Sequence, residues 1–122
     1  MRHLKAGRRL GVTTSHSKAM MRNLVTSLIE NEEITCTAAR AKELKRLLDK
    51  MITLGKNGGL HNQRKALRVI KSKKAFELLF GDLAERYRER PGGYTRIIRL
   101  SKKRLGDAAS LVSIQLIPES SS

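Results

Sequence analysis

No carboxylate occurs before Glu30, and that fact limits what the first part of the chain can become. Across Met1 to Asn23, Arg2, His3, Lys5, Arg8, Arg9, His16, Lys18 and Arg22 accumulate unopposed. Met1 to Val12 carries Gly7 and Gly11 and few apolar side chains, so it cannot bury enough surface to offset the entropy of its own ordering. It is expected to be an extended arm that orders on a polyanion, leaving the folded body to the residues that follow. The imbalance continues through that body. With 26 Lys and Arg against 11 Asp and Glu, the formal net charge is +15, which self-repels in a compact monomer unless an anionic partner neutralises it. Nucleic acid is the first candidate. A membrane surface is the second, but no apolar run approaches the length of a transmembrane helix and no secretory hydrophobic segment follows Met1. An intracellular location and no membrane partner are expected. Cys36 stands alone and cannot close an internal disulfide, so a disulfide scaffold is not suggested.

At 122 residues the chain fits one domain with a real core. Its aromatics are Phe76, Phe80, Tyr87 and Tyr94, so the core must be mostly aliphatic, and a platform of stacked rings for single strands is disfavoured. After hydroxyl cap candidates at Thr13, Thr14 and Ser15, Met20, Leu24 and Leu28 recur every four residues and predict a helix from Ser15 to Asn31. Its basic start, with Lys18 and Arg22, and its acidic end, with Glu30, Glu32 and Glu33, both oppose the helix dipole. Glu33 to Thr37 alternates like a half-buried strand, with Ile34 and Cys36 inward. Thr37 then caps a helix from Ala38 to Leu54, whose inner face is Ala41, Leu44, Leu48, Met51 and Ile52 and whose other faces carry Arg40, Lys42, Lys45, Arg46 and Lys50; Gly55 ends it. Beyond a linker at Lys56 to Gly59, Leu60, Leu67 and Ile70 mark a weaker basic helix with Arg64, Lys65, Arg68 and Lys71. Ser72 restarts the chain into a fourth helix, lined by Ala75, Phe76, Leu79, Phe80 and Leu83. Its acids, Glu77, Asp82, Glu85 and Glu89, suggest that it faces away from the polyanion.

Arg90 to Gly93 breaks the helical pattern. Tyr94 to Leu100 reads as a second strand, Ser101 to Ala109 as a basic loop, and Leu111 to Ile117 as a third strand antiparallel to the second. Pro118 and the serines stop it. The expected fold class is α/β in the α+β sense: two layers in the order α-β-α-α-α-β-β, a small three-stranded mixed sheet packed against helices, and an extended basic N-terminal arm. The expected division is an arm at 1–14, a single RNA-binding domain at 15–118 and a flexible Ser-rich tail at 119–122.

The residues for chemistry are sparse. His3, His16, His61 and Cys36 form no metal-ligand spacing. No nucleophile sits beside a base within a motif. Gly55, Gly58 and Gly59 lack the Lys-Ser/Thr of a phosphate loop, and Gly92-Gly93 precedes a strand where such a loop opens a helix. No catalytic residue, metal, cofactor or small-molecule substrate is expected. What remains is charge in separate groups: the arm, the second and third helices, and the residues around the second strand, Arg96, Arg99, Lys102, Lys103 and Arg104. Such cations donate to phosphates and ribose, and a glycine-bearing arm threads between RNA helices. The alternatives are a small nucleic-acid-processing enzyme, which would need a carboxylate cluster for metal such as Glu30, Glu32 and Glu33, and a dimeric DNA-binding regulator, for which no helix-turn-helix or heptad-bearing basic region is seen.

Four stretches in order carry a family resemblance: Met-Arg-His-Leu-Lys-Ala-Gly-Arg at 1–8; Ser15-His16 with Met21-Arg22-Asn23; Ile34-Thr35-Cys36-Thr37 running into Ala41-Lys42-Glu43-Leu44; and Gly92-Gly93-Tyr94-Thr95-Arg96. Together they resemble the seventeenth ribosomal protein family of the bacterial large subunit over nearly the whole chain. The resemblance implies a two-layer α/β domain on large-subunit ribosomal RNA near the exit of the nascent-peptide tunnel, in the cytoplasm, with other ribosomal proteins as neighbours and no catalysis. Residues expected to touch RNA are Arg2, His3, Lys5, Arg8, Arg9, His16, Lys18, Arg22, Arg40, Lys42, Tyr94, Arg96, Arg99, Lys102, Lys103 and Arg104. Cys36 departs from the hydroxyl residue common in the family, and the tail after Ile117 has no evident use.

Overall fold

In the computed structural model, which describes residues 14–103 and 110–118, the four-residue recurrence winds into α1, Thr14–Asn31. Val25, Leu28 and Ile29 are buried on it, with Met21 and Leu24 alongside. Glu32 then turns the chain with a φ of 65°, a left-handed conformation that costs a non-glycine residue about 1 kcal/mol or more. Local bonds offset the strain. The Glu32 N–H donates to the Leu28 carbonyl at 2.8 Å and its own carbonyl accepts from the Leu116 N–H at 2.9 Å. Its carboxylate accepts both terminal nitrogens of Arg86, at 2.5 and 3.2 Å. This pairing holds the Glu32 carboxyl below the usual range, against the opposing effect of burial.

The three strands are β1 (Glu33–Thr37), β2 (Thr95–Lys103) and β3 (Ser110–Leu116), in the order β1-β3-β2. Both pairings are antiparallel, which corrects the mixed sheet expected. The intervening helices return the chain to the far edge, so β1 and β2 run the same way, but β3 folds back from β2 and takes the place between them. Ile34, Ile114 and Ile97 align across the sheet and face the helices with Cys36, Val112 and Leu116, since alternate residues share a face. β2 also outlasts its expected end at Leu100: past a register shift after Arg99, Lys103 pairs with Ser110. Charge composition marked those residues as loop, and backbone pairing with β3 overrides it.

α2 (Ala38–Asn57) is the hub of the helical layer, contacting α1, all three strands and every later helix except the first turn of the fourth. Thr37 precedes it in an extended conformation but makes no side-chain cap bond. Its buried stripe is the expected one, Ala41, Leu44, Leu48, Met51 and Ile52, continued by Gly55. Gly55 therefore does not end the helix. The chain leaves it at Gly58, with φ 64° and its N–H on the Leu54 carbonyl at 2.9 Å. The need for glycine at 55 is steric, because a Cβ there would stand 2.7 Å from the Leu79 carbonyl oxygen. Gly55→Ala should accordingly destabilise the domain by about 1–3 kcal/mol, although alanine is intrinsically the better helix former. A lowered urea midpoint confirms the close approach; a raised one refutes it.

α3 (Leu60–Leu67) buries only Ala66. The fourth helix opens as α4 (Lys73–Leu78), where the Ser72 Oγ accepts the Ala75 N–H at 3.0 Å and donates to Glu30 Oε1 at 2.9 Å. That hydroxyl caps one helix and ties it to another. The helix widens to a π conformation over Leu79–Leu83 and closes as α5, Ala84–Arg86. Ala75, Leu79 and Leu83 are buried, and Phe76 packs on Phe80 with ring centroids 4.9 Å apart. The π widening, which the apolar spacing does not signal, lies where Leu79 meets Gly55.

Candidate nucleic-acid interface

The break at Arg90 to Gly93 is held from both sides. Lys56, near the end of α2, donates to the Arg90 carbonyl and, at 3.0 Å, to the Tyr94 hydroxyl, with its ammonium 5.0 Å from the centre of the Tyr94 ring. Burial pushes the Asp49 carboxyl pKa up, and the charge of Lys45 and the neighbouring Tyr94 backbone pull it back. Lys45 itself donates to the Thr95 carbonyl at 2.7 Å. Tyr94 packs against Tyr87 at 5.1 Å, and the Tyr87 hydroxyl donates to the Ile117 carbonyl at 2.5 Å. Tyr94 is only 1% exposed, so its ring is a core element, and an RNA contact at this position would have to use its backbone. Its place beside glycines and cations suggested a surface turn; the strand period after Gly93 was the signal for burial.

The remaining candidates are distributed as follows. His16 and Lys18 are exposed on the first turns of α1, and Arg22 is half-buried one turn further. No acid occupies the first turn of α1. Arg40 is half-buried and Lys42 exposed at the start of α2, directly after β1, whereas Arg96 and Arg99 are exposed on β2. Arg40 and Lys42 belong to the helical layer, whereas β2 is an edge strand on which alternation puts Arg96 on the face turned from the helices and Arg99 on the other. On the face of Arg96 runs a polar row. The Arg96 Nε donates to Gln115 Oε1 at 3.0 Å, Gln115 Nε2 to Ser113 Oγ at 3.2 Å, and Ser113 Oγ to Glu33 Oε1 at 3.1 Å. This chain of bonds orients the guanidinium of Arg96 through its Nε. Lys102 and Lys103 fall in the last residues of β2. Arg2, His3, Lys5, Arg8, Arg9 and Arg104 lie outside the described residues.

The residues expected to touch RNA do not include further cations exposed on the helices, among them Arg46, Lys50, Arg64 and Lys65, counted only within the basic groups, and Lys73 and Lys74, not named at all. The available signal was the run from Lys50 to Phe76, which holds no carboxylate. The carboxylates offered for the enzyme alternative are drawn into structural work: Glu30 on Ser72, Glu32 on Arg86 and Glu33 on Ser113. Cys36 is buried on β1, and burial pushes its thiol pKa up, only partly countered by Arg40, so the reactive thiolate is suppressed.

A basic chain with this element order is matched by a family profile, described as ribosomal protein L17, over residues 20–117. The chain belongs to the ribosomal protein L17 family. Among similar proteins, the large ribosomal subunit protein bL17 of Syntrophotalea carbinolica is 59% identical over 98% of this chain and 76% of its own length. That of Trichlorobacter lovleyi is 56% identical over 98% of this chain and 95% of its own, and that of Geobacter metallireducens 59% over 98% and 66%. Membership of the L17 family makes the chain a structural ribosomal component and not an enzyme.

Proposed function

We propose that the chain is a structural constituent of the bacterial large ribosomal subunit in the cytoplasm, where it binds and stabilises folded ribosomal RNA near the exit of the nascent-peptide tunnel, beside other ribosomal proteins. The observation that carries this is the family match across residues 20–117. The position at the tunnel exit rests on the family likeness alone. The RNA contacts are assigned to the arm at Arg2, His3, Lys5, Arg8 and Arg9; to His16, Lys18 and Arg22 at the start of α1; to Arg40 and Lys42 of α2; and to Arg96, Arg99, Lys102, Lys103 and Arg104 on β2 and its following loop. Two features support the assignment: a row of hydrogen-bonded polar side chains leads to Arg96 on the sheet face turned from the helices, and the first turns of α1 carry positive charge against their own helix dipole. Cations fixed on a rigid sheet would position the protein on RNA phosphates, and the arm would order in contact with the RNA.

In a sucrose gradient of cell extract the full chain should travel with large subunits, and removal of Met1 to Val12 should reduce that association while leaving the circular dichroism spectrum unchanged. Full-length protein remaining at the top of the gradient would overturn the proposal. Unfolding of the truncated protein would instead make the arm part of the fold.

A further inference from the structure

The held loop at Arg90 to Gly93 forms one wall of a cleft that the assigned contacts do not use. The cleft, about 570 Å³, lies between the second half of α2, Lys65 of α3 and Gly92 to Tyr94, within the size range of small-ligand sites. Leu54, half-buried, and Met51 supply its apolar floor, while Lys50 and Lys65 stand exposed at its rim. Gly92 and Gly93 leave open space where side chains would project. Because Lys56 holds both Arg90 and Tyr94, on either side of the glycines, the cleft is formed without a ligand. The one acid in its lining, Asp49, is offset by Lys45, so the net charge presented is positive.

We infer that this cleft receives one unstacked nucleotide of the RNA, its base and ribose against Leu54, Met51 and the glycine backbone and its phosphate between Lys50 and Lys65. Unpaired bases splayed from RNA are what proteins most often read in sequence-specific recognition, and an apolar floor with cations at the rim matches a flat base joined to a phosphate. Phosphates alone would need the lysines but no apolar floor. The inference rests on the RNA-binding reading above and adds a base-recognising contact to it.

The test titrates isotope-labelled full-length protein with single-stranded RNA pentamers of each base and with an abasic ribose-phosphate pentamer of equal charge, following backbone amides by NMR. At least one base-bearing pentamer should shift Thr53, Leu54, Gly92 and Gly93 and bind about tenfold tighter than the abasic strand, a difference of about 1.4 kcal/mol. Lys50→Gln with Lys65→Gln, both at exposed positions, should weaken the base-bearing and abasic strands alike without altering the thermal midpoint, whereas Leu54→Ser should remove the preference between them. Equal shifts from the abasic strand would reduce the cleft to a phosphate contact and overturn the inference. So would shifts caused only by a polyglutamate peptide, which would assign the cleft to a protein. Silence at the cleft with intact binding to large-subunit ribosomal RNA would overturn the inference and leave the proposed function standing; loss of ribosomal RNA binding by the unaltered protein would overturn the proposed function instead.

Discussion

Leu28→Asp should leave the domain largely unfolded at physiological temperature. Leu28 has no exposed surface and belongs to the main cluster with Val25, Ile29 and Leu44. The substitution removes burial worth about 1.5–3 kcal/mol and brings in a carboxylate that must stay charged without a partner or take up a proton at a cost. A loss of about 4 kcal/mol or more follows, a large part of the 5–15 kcal/mol by which domains of this size are stable. For a domain of roughly a hundred residues that lowers the thermal midpoint by about 15 °C or more. Leu28→Met, which nearly conserves volume, should lose less than about 1.5 kcal/mol. Scanning calorimetry of both variants decides the matter: an aspartate variant melting within a few degrees of the parent would mean that α1 presents another face to the core.

That register was readable because the signal is local. Met20, Leu24 and Leu28 repeat at the helical period, and the core of α2 from Ala41 to Ile52 was legible for the same reason. The short strand at Glu33–Thr37 and the cap at Ser72 are also written in neighbouring residues. The misreadings share a different origin: each depends on a partner far along the chain. Gly55 looks like a helix stop until Leu79 is brought against it from 24 residues away. Tyr94 looks like a surface residue until Lys56 and Tyr87 close around it. The sheet looks mixed until β3 is seen to lie between β1 and β2. The left-handed turn at Glu32, of which the sequence gives no sign, is likewise held by distant partners, Arg86 on its carboxylate and Leu116 on its carbonyl. For the interface, sequence shows which side chains are cationic but not which edges of the sheet carry them.

Binding to large-subunit ribosomal RNA should weaken about a thousandfold or more when salt rises from 50 to 200 mM, if the protein neutralises about six to ten phosphates. Each phosphate contact releases a condensed counterion, so the logarithm of affinity falls linearly with that of salt, at a slope close to the number of contacts on duplex RNA and smaller on unpaired segments. The number is set by named side chains. Arg40 and Lys42 at the start of α2 and Arg96 and Arg99 on β2 supply four candidates, and His16, Lys18 and Arg22 add to them before the arm is counted. Removing one exposed cation, as in Arg99→Gln, should reduce the slope by about one and weaken binding to many RNA sequences alike, the mark of a phosphate contact. Arg96→Gln should do more than its charge requires, because Gln115 orients Arg96 from the adjoining strand, and Gln115→Ala should therefore weaken binding although it removes no charge. Filter binding over a salt series measures all three. A slope near zero would show that the +15 charge is not neutralised by RNA phosphate and would remove the electrostatic basis of the assignment, whereas a steep slope unmoved by Arg96→Gln and Arg99→Gln would shift the contacts from the sheet edge to the arm and helices.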